Sequence, residues 1–138
     1  MPHPTEPAIL VQLSSISFDT RPTKVRLMGR IHYYHMESST ILLQDDGAVL
    51  PVDISLCLDS MHPQPWLRER RTAVIAMGYL EPLPPNSRLI KAVRRHIDGP
   101  IPTMILRALL INDAGDIQVS LWHRAIEERQ KILDSHLT

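Results

Sequence analysis

The chain has 138 residues with 15 basic and 15 acidic side chains, so its formal net charge is zero. That balance excludes a global field drawing it onto nucleic acid or anionic lipid, and any nucleic-acid contact must be local. Cys57 is the single cysteine, which excludes an internal disulfide framework and points to a reducing compartment, and no apolar run is long enough to cross a bilayer.

The length suits one domain, residues 1–138, with a core that needs neither disulfide nor metal. Met1–Pro7 contains Pro2, Pro4 and Pro7, lacks the basic-then-apolar pattern of a secretory signal, and reads as a loose arm. Ala8–Ile16 is apolar enough to make a short covering segment, as helix or strand. In Lys24–His35, Val25, Leu27, Ile31 and Tyr33 alternate with Lys24, Arg26, Arg30 and His32, the period of a half-buried strand. Gly29 interrupts it, predicting a bulge or coil that lets one strand serve two sheets. Thr40–Gln44 predicts a second strand, Asp46-Gly47 a tight hairpin turn, and Val49–Leu58 a third strand. In the third, Leu50, Val52, Ile54, Leu56 and Leu58 share one face.

Asp59–Arg71, with Pro63, Pro65 and a charged RERR run, predicts a connection or short helix. Thr72–Glu81 is apolar on both faces and predicts a deeply buried central strand. Pro82, Pro84 and Pro85 stop it and open an excursion to Pro102. There Leu89, Val93 and Ile97 have helical spacing, with a strand over Arg88–Val93 as the alternative. Thr103–Asn112 predicts a fifth strand with Met104, Leu106, Ala108 and Leu110 on one face and Arg107 on the other. After a turn at Asp113–Asp116, a helix is expected over 116–134, capped by Asp116 or Ser120. Its stripe of Leu121, Trp122, Ala125, Ile126, Ile132 and Leu133 is wider than a barrel end needs and is expected to be an interaction site, the alternative being that the helix plugs its own barrel.

The search for chemistry is negative: no catalytic residue, metal ligand set or cofactor is expected. His32 and His35 point to opposite faces of an extended strand, and CxxC, HExxH and phosphate-cradling glycine runs are missing. His123 and Glu127 sit one helical turn apart and read as a solvated face, and Asp45 and Asp46 are explained by the hairpin turn. Single-strand binding by a small barrel needs cations along the phosphates and exposed rings for stacking. Arg26, Arg30, His32 and Tyr34 are candidates on the outward face of the first strand, and Arg107 on the fifth. Arg88, Lys91, Arg94 and Arg95 form the densest basic cluster in the chain. The competing explanation is that outward strand residues are polar because they meet water. Tyr33 and Tyr79 are expected in the core, and Trp66 as a stacking ring or a lid.

Five strands, a glycine-broken first strand and a terminal helix define an all-β chain with a C-terminal helix, the five-stranded Greek-key OB-fold barrel. KVRLMGRIHYY, STILLQ, VLPVDISLCLD, AVIAMGYLE and ILRALLINDAGDIQVSLWHRAIEERQ in that order resemble the smallest (Ten-one) subunit of the CST telomere-capping complex, particularly its fungal branch. The resemblance runs from Lys24 to Gln130. The excursion Pro82–Pro102 is longer and more basic than that family's pattern. The resemblance implies a non-enzymatic nuclear subunit at the telomeric region of chromosomes. It would pair with a larger OB-fold subunit (Stn-one type) and, through it, with the large telomere-binding subunit. It would share in binding single-stranded telomeric DNA, with no membrane partner. The expected partner interface is Leu121, Trp122, Ala125, Ile126, Arg129 and Leu133. Alternatives of other kinds are an independent single-stranded nucleic-acid-binding module, or a small OB subunit of replication protein A or of a helicase-associated complex.

Overall fold

The computed structural model of the chain describes residues 7–17, 23–58, 71–84, 87–114 and 119–136. Alternating patterning yields strands where it was expected. β1 (Ile9–Leu10) is a two-residue strand, followed by β2 (Lys24–His35), β3 (Thr40–Asp45) and β4 (Ala48–Asp53). β5 (Ala73–Pro82) and β6 (Met104–Asp113) flank a short helix, α1 (Arg88–Arg94), and the chain ends in α2 (Val119–His136). β2 pairs antiparallel with β5 over Lys24–Arg30 and with β3 from Arg30 to His35. β3 and β4 form a hairpin, β4 runs parallel to β6, and β6 returns antiparallel to β5. The sheet closes through the β2–β5 pairing, which is the five-stranded barrel of the OB-fold with β1 added parallel to β2.

The hairpin turn has positive φ at both central residues, 51° at Asp46 and 79° at Gly47, the combination that matches the twist of the flanking strands. Inside the barrel, Leu27, Ile41, Leu43, Val52, Val74 and Leu106 are fully buried. Gly29 carries no bulge, since β2 stays in register with β5 through it, but the expected change of partner falls just after it, at Arg30, where β2 passes from β5 to β3. Gly29 faces inward, where a Cβ would stand 3.1 Å from both Leu13 Cδ1 and Leu43 Cβ. The missing side chain admits Leu13, carried by a single 3₁₀ turn (Leu13–Ser15), as a plug in the core. Ala8–Ile16 is therefore a covering segment, part strand and part turn.

The register irregularity of β2 falls between Ile31 and Tyr33, and it inverts the expected parity beyond that point. Tyr34 packs against the core, while Tyr33 stacks on His96 instead of entering it. β6 has the same kind of break against β5 between Met77 and Gly78. Leu110 is consequently turned out, at 49% exposure, and Ile111 is turned in. Gly78 is forced by close approach, since a Cβ there would lie 2.0 Å from the Arg107 carbonyl oxygen.

Other expectations also change. β4 ends at Asp53, whose carboxylate accepts the Ser55 N–H at 2.9 Å and starts a turn. Leu56 and Leu58 lie beyond the strand and are exposed. β5 is central, but only Val74, Ala76, Gly78 and Leu80 are buried, while Ile75, Met77 and Tyr79 on its outer face are half-covered. The excursion is helical: the Ser87 hydroxyl accepts the Ile90 N–H at 3.4 Å, and Ile90 and Val93 are buried. α2 starts at Val119, so Ser120 lies inside it and does not cap it. Asp116, Trp66 and the first three residues of the RERR run (68–70) lie outside the described residues.

Candidate functional site

Two surfaces are built on this frame. The first is a trough across the outward face of β2, β3 and β4. Its floor includes Gln44 and Val49, and one wall is the segment from His96 to Thr103 that follows α1, enclosing about 590 Å³. The wall is fastened at His96. The His32 imidazole Nε2–H donates to the His96 carbonyl at 2.6 Å, and the His96 ring stacks on Tyr33 with centroids 3.7 Å apart. That bond leaves His32 Nδ1 as the acceptor nitrogen of the neutral ring. A neighbouring cleft of about 410 Å³ shares His32, Gln44, Asp46 and Gly47 with the trough and adds Arg30 and Arg71.

The predicted cations separate on this surface. Arg30 and His32 border the cleft. Arg26 is exposed further along β2, where its neighbours in the sheet are Leu10 and Met77. Arg107 pairs with Glu81 at 3.5 Å on the β5–β6 wall. Arg88, Lys91, Arg94 and Arg95 are exposed on and just after α1, and Arg94 also borders a small apolar hollow with Leu83, Ile90 and Ile101. Tyr34 is removed from the nucleic-acid face by the β2 bulge. Among the described residues the trough is lined by neither arginine nor lysine and by no aromatic ring other than its two histidines. Arg71 and His96 were missed by sequence reasoning. Arg71 closes a charged connection, and His96 meets Tyr33 across a sequence separation that no local pattern reveals.

The second surface is α2. Trp122, His123 and Ile126 are half-buried, and His123 Nε2 meets Asp45 Oδ2 at 2.5 Å, tying the helix to the end of β3. Asp45 therefore has a tertiary partner beyond its place beside the hairpin turn, and His123 is not simply a solvated residue. From Glu127 to Ser135 every side chain is exposed. Leu121, Ile132 and Leu133 are 54%, 59% and 47% exposed, and Ala125 and Arg129 are exposed with them. Trp122, Ile126, Arg129 and Leu133 recur at 4-3-4 spacing, which forms a continuous ridge on a helix. Trp122 Nε1 is buried and has no acceptor among the described residues. Gln130 with Asp134 and Lys131 with Glu128 are side-chain pairs along the same exposed length of helix.

Among the described residues no three His, Cys, Asp or Glu side chains converge to hold a metal, and no described helix is long and apolar enough to cross a membrane. Cys57 lies beside the core, with its thiol 3.5 Å from the Ala108 carbonyl. Burial, and secondarily the Asp53 carboxylate, push the thiol above its ordinary value of 9.0.

A closed OB barrel with an open trough on its strand face and a largely uncovered terminal helix defines a small OB-fold module. The family model described as telomere-capping, CST complex subunit matches residues 1–136, and the chain belongs to that family. No curated protein matches it in sequence. Its fold is similar to a chain in the crystal structure of the S. pombe Stn1–Ten1 complex, at 20% identity and a TM-score of 0.63, covering 94% of this chain and 98% of that one. It is also similar to the telomere-capping protein Ten1 of S. pombe, at 20% identity and a TM-score of 0.60, covering 91% of this chain and 99% of that one. A third likeness is to the asparaginyl-tRNA synthetase of Entamoeba histolytica, at 12% identity and a TM-score of 0.57. It covers 85% of this chain and 26% of the synthetase.

Proposed function

We propose that this chain is a non-enzymatic subunit that uses α2 to pair with a larger OB-fold subunit of the Stn1 type, and through it joins the large telomere-binding subunit. The assembly acts in the nucleus, at chromosome ends, where it protects single-stranded telomeric DNA and supports fill-in synthesis. The observation that carries this reading is the unburied apolar length of α2 on a member of the CST subunit family. Leu121, Trp122, Ala125, Ile126, Arg129 and Leu133 form the docking ridge, with Trp122 as its anchor, because tryptophans that an interface desolvates dominate its energy.

DNA contact is auxiliary in this reading. Arg26, Arg30 and His32 on β2, Arg88, Lys91, Arg94 and Arg95 around α1, and Arg107 on β6 contribute phosphate contacts only as parts of a larger charged surface that the partners complete. Zero net charge, and a trough that among the described residues holds no Phe, Tyr or Trp ring, count against an independent single-strand binder. Co-expression with the Stn1-type subunit of the same organism tests the proposal. A stable heterodimer is expected, one that binds single-stranded DNA far more tightly than the isolated chain. No complex, or equally tight binding by the isolated chain at physiological salt, would overturn it.

A further inference from the structure

Arg71 has a backbone φ of +67°, a left-handed conformation unfavourable for any residue but glycine, with asparagine and aspartate partly tolerated. Its backbone is held there by β2. The Arg71 N–H donates to the Ile31 carbonyl at 2.7 Å, and the Thr72 carbonyl accepts the Ile31 N–H at 2.9 Å. Arg30 Nη1 then donates to the Arg71 carbonyl at 3.2 Å. Two arginines from distant parts of the chain are thereby brought to one cleft with His32 and Gln44. Backbone preference alone would place glycine at position 71. A strained residue kept at the rim of a cleft points to a role for its side chain.

Two carboxylates share the cleft, and they are not equivalent. Asp45 is committed to His123 at 2.5 Å, and its side chain is only 8% exposed. Asp46 is the exposed first residue of the hairpin turn. Among the described residues neither Arg30 nor Arg71 makes an ion pair. Two arginines lining one cleft with an amide and an imidazole suit the oxygens of a phosphate better than an apolar ligand.

We propose that the Arg30–Arg71 cleft is a phosphodiester site for a single nucleic-acid strand entering the trough, and that Asp46 holds its affinity down. The inference rests on the reading that this subunit touches single-stranded DNA, but not on its pairing through α2. Asp46 supplies a sign that a merely solvated basic patch would not share. Asn-Gly is at least as good as Asp-Gly in this turn, so Asp46→Asn keeps the hairpin and removes the repelling charge.

The test is fluorescence anisotropy of the full isolated chain with labelled oligo(dT) over a salt series, alongside thermal melts of each variant. Arg71→Gly removes the guanidinium and relieves the backbone, so it should melt no lower than wild type while binding about tenfold more weakly. Its salt slope should fall by about 0.7, the loss of one phosphate contact on a single strand. Asp46→Asn should bind about threefold more tightly. Lys131→Gln, which loses the same charge on α2, should bind as wild type does. Arg71→Gly with unchanged affinity and slope, or Asp46→Asn with no gain, would overturn the assignment. In a competition arm, inorganic phosphate at the oligonucleotide's total phosphate concentration should displace little. Full displacement would mean a free-anion site and overturn the strand assignment. Failure of heterodimer formation would leave these outcomes untouched, so the two readings fail separately.

Discussion

The barrel and α2 solve the burial problem in opposite ways. Each barrel strand is paired on both edges for much of its length, and its inward residues are almost entirely removed from water. α2 spans 18 residues, yet its main tie to the barrel is at Trp122, His123 and Ile126, and the remaining two turns and more stand clear. Hydrophobic stabilisation scales with the apolar area removed from water, so the barrel is stable by its own contacts while the far half of α2 gains little from them. The contrast separates residues that make the fold from residues that await another surface, and it does so within one apolar pattern.

The sharpest way to break the contrast is at the barrel. Gly78→Ala places a methyl 2.0 Å from a backbone oxygen that cannot turn away. A loss of at least about 3 kcal/mol in chemical denaturation is expected. Leu27→Ala should cost about 2–5 kcal/mol, whereas Ile132→Ala in the isolated chain should stay within about 0.5 kcal/mol. An equal loss at both sites would place α2 in the core. Removing the tether by His123→Ala should cost about 1–2 kcal/mol. It should also speed hydrogen exchange in α2 before exchange in β2 or β5 changes.

The smallest effect concerns Cys57. Its raised thiol pKa means that the folded chain keeps a proton that the unfolded chain releases above about pH 9. This contribution is therefore intact at neutral pH, and stability falls as pH rises past 9. Alkylation at pH 8 should be several-fold slower than for an unperturbed thiol. Asp53→Asn should speed it modestly, because burial outranks the carboxylate as the cause.

Much of the barrel was legible because alternation and an Asp-Gly turn are local signals. Lys24–His35 and Thr40–Asp45 needed nothing else. Parity failed where one inserted residue changes it: nothing local to Tyr33-Tyr34 or Leu109-Leu110 says which of each pair faces inward. Gly29 showed a related ambiguity, since a glycine in a strand marks a bulge or a close neighbour, and the neighbour, Leu13, lies far upstream. The apolar stripe of α2 was readable as a stripe. Its division into a docked half and a free half was not, because that depends on a contact between His123 and Asp45, 78 positions apart in sequence. Outward basic residues were found individually, but their separation onto different walls is a property of barrel closure.

The central claim, that the apolar side chains α2 leaves uncovered are where the larger subunit docks, is tested most directly by titrating the Stn1-type partner against Leu121→Glu/Ile132→Glu. Both side chains are more than half exposed, so the isolated variant should melt cooperatively within a few degrees of wild type. Its affinity for the partner should fall at least about thirtyfold, the equivalent of losing roughly 2 kcal/mol from the interface. Wild-type affinity in a variant that folds normally would contradict the account.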